Sequence, residues 1–202
     1  MYYYAIYGIV VFAGMAMMVR EGLWSNTIAL VNILISGLVA FGFYSPIVVW
    51  LDEDITAGQH TYWLDFAIIW ALFSVTMLVC RVLTAQLSKT RMRFKHPIDP
   101  VGGPIVGFLA AWVLAAFTLA TLHTSPMPKD AFGGKLVYSD ADSAFMLTSP
   151  DAAWLRFVAA MSDPTAYGSG STDKITAQGF VNLYTQHREK FDKSPDFLPK
   201  RG

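Results

Sequence analysis

The sequence predicts an all-α integral membrane protein, with about four transmembrane helices followed by a C-terminal extracytoplasmic tail that carries short amphipathic helices. Three observations predict it. Four apolar stretches are each long enough to cross a bilayer, and all lie within residues 1–126, while residues 127–202 have a different texture. The chain is 54% hydrophobic and only 15% charged, where soluble domains carry roughly a quarter charged residues. Basic and acidic residues also alternate between successive connecting loops, as they do in a chain that threads a membrane.

The first stretch, residues 2–19, is uncharged, and as a helix it is about 27 Å long at 1.5 Å per residue. Met1 alone precedes it and Arg20 follows. A secretory signal has its positive charge before the apolar run, so this stretch reads as a retained anchor with its N-terminus outside. The second, residues 23–51, would reach about 43 Å, beyond a hydrocarbon core of about 30 Å. Gly37, Gly42 and Pro46 offer places to kink or end it, and a break near 44–46 is expected. The third, residues 63–80, has one acid, Asp65, near its start; the fourth, residues 101–122, is uncharged and rich in alanine and glycine.

Loop charge sets the orientation. Arg20 lies between the first two spans, and Arg81, Lys89, Arg91, Arg93 and Lys95 lie between the third and fourth. Between the second and third the chain reads Asp52-Glu53-Asp54 and has no lysine or arginine. The positive-inside rule places the basic 81–96 loop in the cytoplasm and both termini outside. Tyr2, Tyr3, Tyr4, Trp50, Tyr62 and Trp63 then fall at outer ends, where amphipathic rings favour the headgroup level, and Trp24 marks the inner boundary.

In the tail, Ser149-Pro150-Asp151 has the cap, first-turn proline and early acid of a helix start. Trp154, Phe157, Val158 and Met161 follow at helical spacing, and Asp163-Pro164 ends the run. A second stripe, Phe180, Leu183, Tyr184, His187 and Phe191, follows a cap at Thr172 or Asp173. Residues 167–171 read as a flexible link between the two. Such helices pack on each other, on the acidic loop or on the outer leaflet, and the pattern does not choose among these.

Several function classes have no support. Fifteen acids balance fifteen bases, so there is no electrostatic footprint for nucleic acid. Cys80 is the single cysteine, which excludes an internal disulfide and a cysteine zinc cage. His60, His96, His123 and His187 lack metal-ligand spacing, so no metal and no cofactor are expected, even where His60, His123 and Asp52–Asp54 share one side. Gly168-Ser169-Gly170 is linker composition, not a nucleophile elbow. No acid–base or nucleophile set converges, so no enzyme is expected.

The residues left to consider are polar groups inside spans. Asn32 and Ser36, with Ser25 two further turns back, share one face of the second span. They read first as helix–helix hydrogen bonding and second as a hydrated path. Asp65 reads first as reaching interface water, with a cation or proton site as the other reading. Gly103, Gly107, Ala111 and Ala115 recur every four residues, a smooth ridge for close packing within the chain or between copies. The basic segment 89–96 reads as a topology signal attracted to anionic lipid, rather than a docking site for an acidic partner or nucleotide.

The order of these features resembles the CvpA family, membrane proteins named for colicin V production. Arg20-Glu21-Gly22 is similar to that family's basic-glycine turn into a long second helix, and Asp99 followed by Gly103 and Gly107 to its aspartate–glycine–glycine entry into helix four. Ala110-Ala111 stands where the family usually has an arginine-glycine pair, and tyrosines replace an acid common at the start of helix one. The resemblance implies a bacterial inner-membrane protein linked to toxin production or export and to envelope upkeep. Two readings follow. One is a non-enzymatic scaffold or accessory factor embedded in the lipid bilayer, presenting its tail to an extracytoplasmic envelope protein. The other is a small channel or transporter subunit, a homo-oligomer joined through helix four and lined by Asn32 and Ser36.

Overall fold

The computed structural model describes residues 2–54, 63–87, 98–125, 149–162 and 177–192. These form six helices: α1 (Tyr2–Met18), α2 (Leu23–Asp54), α3 (Trp63–Leu87), α4 (Ile98–Leu122), α5 (Pro150–Met161) and α6 (Ala177–Asp192). The basic 89–96 segment, His60, His96, the 167–171 link and the side chains of Asp52–Asp54, His187 and Phe191 lie outside the described residues. Three helices are long and apolar enough to cross a membrane: Leu23–Leu51, Trp63–Leu87 and Asp99–Leu122. The first helix has 17 residues, about 26 Å at 1.5 Å per residue.

α4 is the central helix. It packs along α1 on one side, α2 on another and α5 on a third, while α3 leans chiefly on α2. The small residues of α4 make this possible, because helices in lipid approach closely only where side chains are small. Ala110, Ala111, Ala115, Ala116 and Ala120 are all buried. On α1, a Cβ at Gly14 would stand 2.8 Å from the Ala111 Cβ, so the two helices meet at backbone contact. α3 presents Val75, Leu78, Val79, Val82 and Leu83 outward, a face for lipid.

α2 runs unbroken through Pro46 to Asp54, where the sequence led us to expect a break near 44–46. Proline removes one backbone hydrogen bond, but ending the helix there would strand its last four carbonyls in apolar surroundings. Continuing is cheaper. The far end of α2 is not idle, since Phe41 and Val48 are buried. α3 extends past Cys80 to Leu87 and α4 starts at Ile98, each longer than its apolar run.

The two tail helices do not form a separate unit. α5 starts as its sequence indicates, with Ser149 at the N-cap and Pro150 in the first turn. It then descends beside α4, burying Trp154, Leu155 and Val158 in the same core as Ile33, Phe41, Ala116 and Phe117. α6 adds Phe180, Val181 and Tyr184 to that core, and the cap expected at Thr172 or Asp173 lies outside the described residues. Leu183, placed on the apolar stripe by its spacing, is 47% exposed. Of the packing left open by the sequence, Trp154, Leu155, Val158, Phe180, Val181 and Tyr184 take the interior of the bundle.

Candidate functional site

Two ends of the bundle carry the polar chemistry: the turn end, where α1 meets α2 and α4 begins, and the tail end, where α4 finishes and α5 and α6 return.

At the turn end the motif residues come together. The Leu23 backbone N–H donates to Asp99 Oδ1 at 2.8 Å, so a side chain of α4 satisfies one of the free donors that open α2. Gly22 lies against that carboxylate, and a Cβ there would meet Asp99 Oδ1 at 3.1 Å. Gly103 abuts the Glu21 carbonyl, and Gly107 abuts Asn26 and Met18. Asn26 is the joint itself, 1% exposed, with Nδ2 donating to Gly103 O at 2.7 Å and Met18 O at 3.1 Å. It thereby ties the end of α1 and the start of α4 to α2. In the sequence, Asn26 is marked only by its place four residues after Gly22. Arg20 is exposed beside this joint. Along the ridge, Gly103 lies against the turn, Gly107 against Asn26 and Met18, and Ala111 against Gly14 of α1, while Ala115 is buried.

Between the ends, Asn32 and Ser36 face α3. Asn32 Nδ2 donates to Thr84 Oγ1 at 3.3 Å, and Ser36 Oγ lies 3.8 Å from Met77 Sδ. Both polar residues are buried between two helices.

Above them sits an aromatic block. Phe73 and Phe117 stack at 4.3 Å, with Trp70, Phe41 and Trp154 set edge-on around Phe117 at 5.5–5.8 Å. Phe180 from α6 closes over Phe41 at 5.7 Å. Trp154 enters because position 37 is glycine: a Cβ there would stand 2.5 Å from the indole.

The tail end holds two buried acids: Asp65, held by α6, and Asp151, itself on α5 and held by Tyr3 and His123. Asp65 is 2% exposed and accepts a hydrogen bond from the Tyr184 hydroxyl at 3.0 Å, with the Tyr44 hydroxyl 3.5 Å from Tyr184. This corrects the expectation that Asp65 reaches interface water: α6 covers it. Asp151 is 7% exposed; its Oδ1 accepts from the Tyr3 hydroxyl at 2.5 Å and its Oδ2 lies 2.9 Å from His123 Nε2. Tyr3, expected at the headgroup level, is therefore an internal partner. The rest of the layer is bonded locally, with Trp70 Nε1 donating to Thr121 Oγ1 at 3.2 Å and the hydroxyls of Thr121, Thr124 and Ser125 donating to carbonyls of their own helix.

Burial pushes the Tyr184 hydroxyl up, as do Tyr44 and Asp65 beside it, so it stays a neutral donor. Burial also opposes the charge on Asp151, but the His123 hydrogen bond and charge, with the Tyr3 hydroxyl, outweigh it and hold the carboxyl below the usual range. A histidine oriented by an acid is half of a nucleophile-activating set. Here no hydroxyl or thiol among the described residues is bonded to His123, and its Nδ1 is buried without a partner. The geometry clamps helices together.

No curated protein matches the chain, and no solved structure does. The family described as Colicin V production protein matches residues 4–148, ending just before the cap of α5. That stretch contains the whole turn-end joint and all three long apolar helices. The chain is a member of the colicin V production (CvpA) family, and its membership and apolar helices mark it as a membrane protein associated with toxin production.

Proposed function

We propose that the chain is a non-enzymatic membrane scaffold or accessory factor, serving toxin production or export and envelope upkeep from the bacterial inner membrane. In this reading α1 is a fourth crossing helix, the termini and tail end face outward, and the 81–96 loop is cytoplasmic. The observation that carries it is the closed tail end. Phe73, Phe117, Phe41 and Trp154 fill the bundle between the helices, and both buried acids are hydrogen-bonded to side chains of other helices. Such packing among the described residues supports a structural role for this end of the bundle. Among the described residues, a surface open to an envelope partner is the outer face of α6, where Gln178, Asn182 and Gln186 are exposed at intervals of four.

The test is a triple substitution of Gln178, Asn182 and Gln186 to glutamate, compared with the native chain for toxin export and envelope integrity in cells. Loss of either phenotype with full-level, folded protein supports the reading. Undiminished export and integrity would sink it. A channel subunit, by contrast, requires flux through reconstituted vesicles that Asn32→Leu suppresses.

A further inference from the structure

The seat of α5 has the features of a closure that comes apart. α5 is short, with 12 residues, about 18 Å, so it cannot cross a bilayer and enters the bundle from one end. It is anchored at its first turn by Asp151, which reaches two different helices: Tyr3 of α1 and His123 of α4. Its deepest side chain, Trp154, fits a notch that exists only because residue 37 has no Cβ. The docked state also strands two buried donors or acceptors, Trp154 Nε1 and His123 Nδ1, with no partner. A seat that leaves polar atoms unsatisfied gives back part of what its packing contributes. The family match ends at residue 148, so this closure is added to the matched bundle.

We propose that α5 is a releasable plug in the tail end of the bundle, latched by the ionised Asp151 carboxylate to Tyr3 and His123 and released when that carboxylate is protonated. The groups facing the latch are few. α1 supplies Tyr3, with Tyr4 beside it at 5.3 Å between ring centroids, and α4 supplies His123. α2 meets α5 through Gly37 and Phe41, which do not titrate. On α6 the buried titratable group is Tyr184, bonded to Asp65 of α3, and on α5 itself Arg156 is half-buried. Protonation removes the one negative charge that both Tyr3 and His123 address. The carboxyl then competes poorly for them, and the orphaned indole gains access to water as α5 leaves. The proposal goes beyond the scaffold reading, and it stands or falls separately.

The test uses the full chain in lipid nanodiscs, with Cys80→Ser and nitroxide labels at Ala160→Cys on α5 and Val49→Cys on α2, both exposed positions. A second pair, Val31→Cys and Ile105→Cys, reports on the bundle without α5. Pulsed electron resonance should give a single 49–160 distance at pH 7.5. Well below pH 4, because His123 and Tyr3 hold this carboxyl under the usual range, a second population longer by about 10 Å, one helix diameter, should appear while the 31–105 distance holds. Asp151→Asn should show that population already at pH 7.5. An unchanged 49–160 distance in Asp151→Asn at pH 7.5, a variant without that charge at any pH, overturns the proposal. So does simultaneous broadening of the 31–105 pair, which would mean the whole bundle unfolds rather than the plug leaving.

Discussion

His123, just past the last turn of α4, stands 2.9 Å from Asp151 in the first turn of α5, both almost wholly withdrawn from solvent. The two are 28 positions apart in the chain, and their contact fixes where the tail re-enters the bundle. Removing the Asp151 carboxylate leaves the buried Tyr3 hydroxyl and His123 Nε2 without their partner, a loss of about 3 kcal/mol. Asp151→Ala should lower the unfolding free energy in detergent by that order, and Tyr3→Phe by about 1–2 kcal/mol. A double-mutant cycle of the two, read by denaturant titration, should show strong coupling; additive losses would place Asp151 elsewhere.

The same carboxylate sets an acid limit. Its folded-state pKa is depressed below the ordinary value of 3.8, so its contribution is fully present above that value and is lost as pH falls through the folded one. Thermal stability of the native chain should therefore fall below about pH 4 more steeply than that of Asp151→Asn. Parallel curves for the two proteins would contradict the pairing.

Gly37→Leu should evict Trp154. Its new side chain would occupy the notch that the indole fills, and overpacking of this kind costs about 1–3 kcal/mol. With a single-tryptophan variant retaining Trp154, the emission maximum should shift to the red. Gly42→Ala, which meets open space, should leave both spectrum and stability unchanged within about 0.5 kcal/mol.

At the turn end, Asn26→Leu removes two hydrogen bonds to backbone carbonyls of α1 and α4 and leaves both acceptors buried. A loss of about 2–3 kcal/mol is expected, with insertion into membranes unaffected. A variant as stable as the native protein would show that the joint is not structural.

Single cysteines at Gly107, Ala111 and Ala115, in a Cys80→Ser background, should give no chain-to-chain crosslinks. Gly107 meets Met18 and Asn26, Ala111 meets Gly14, and Ala115 is 0% exposed. Crosslinks along this ridge in membranes would show that copies associate through α4 instead.

The long apolar helices were legible because apolar length is a property of contiguous residues. The turn-end glycines were legible as a ridge for the same reason, since residues four apart share a helix face. What that ridge packs against was not, because Gly14 and Asn26 come from elsewhere in the chain. Asp65 and Tyr3 were misread for one reason. Depth along a span suggests water at its end, and only the return of α6 and α5 removes that water. The Trp154 notch is likewise a relation between an indole and the missing Cβ of Gly37, and neither residue announces the other.

The central claim is that the tail is an internal part of the bundle. The most direct measurement replaces Trp154 with a benzophenone amino acid, irradiates the full chain in membranes, and maps the captured residue by mass spectrometry. Capture of α2 or α4 near Gly37, Phe41 or Phe117 is the predicted result. Capture of lipid or of another protein alone, in correctly inserted chain, would contradict it.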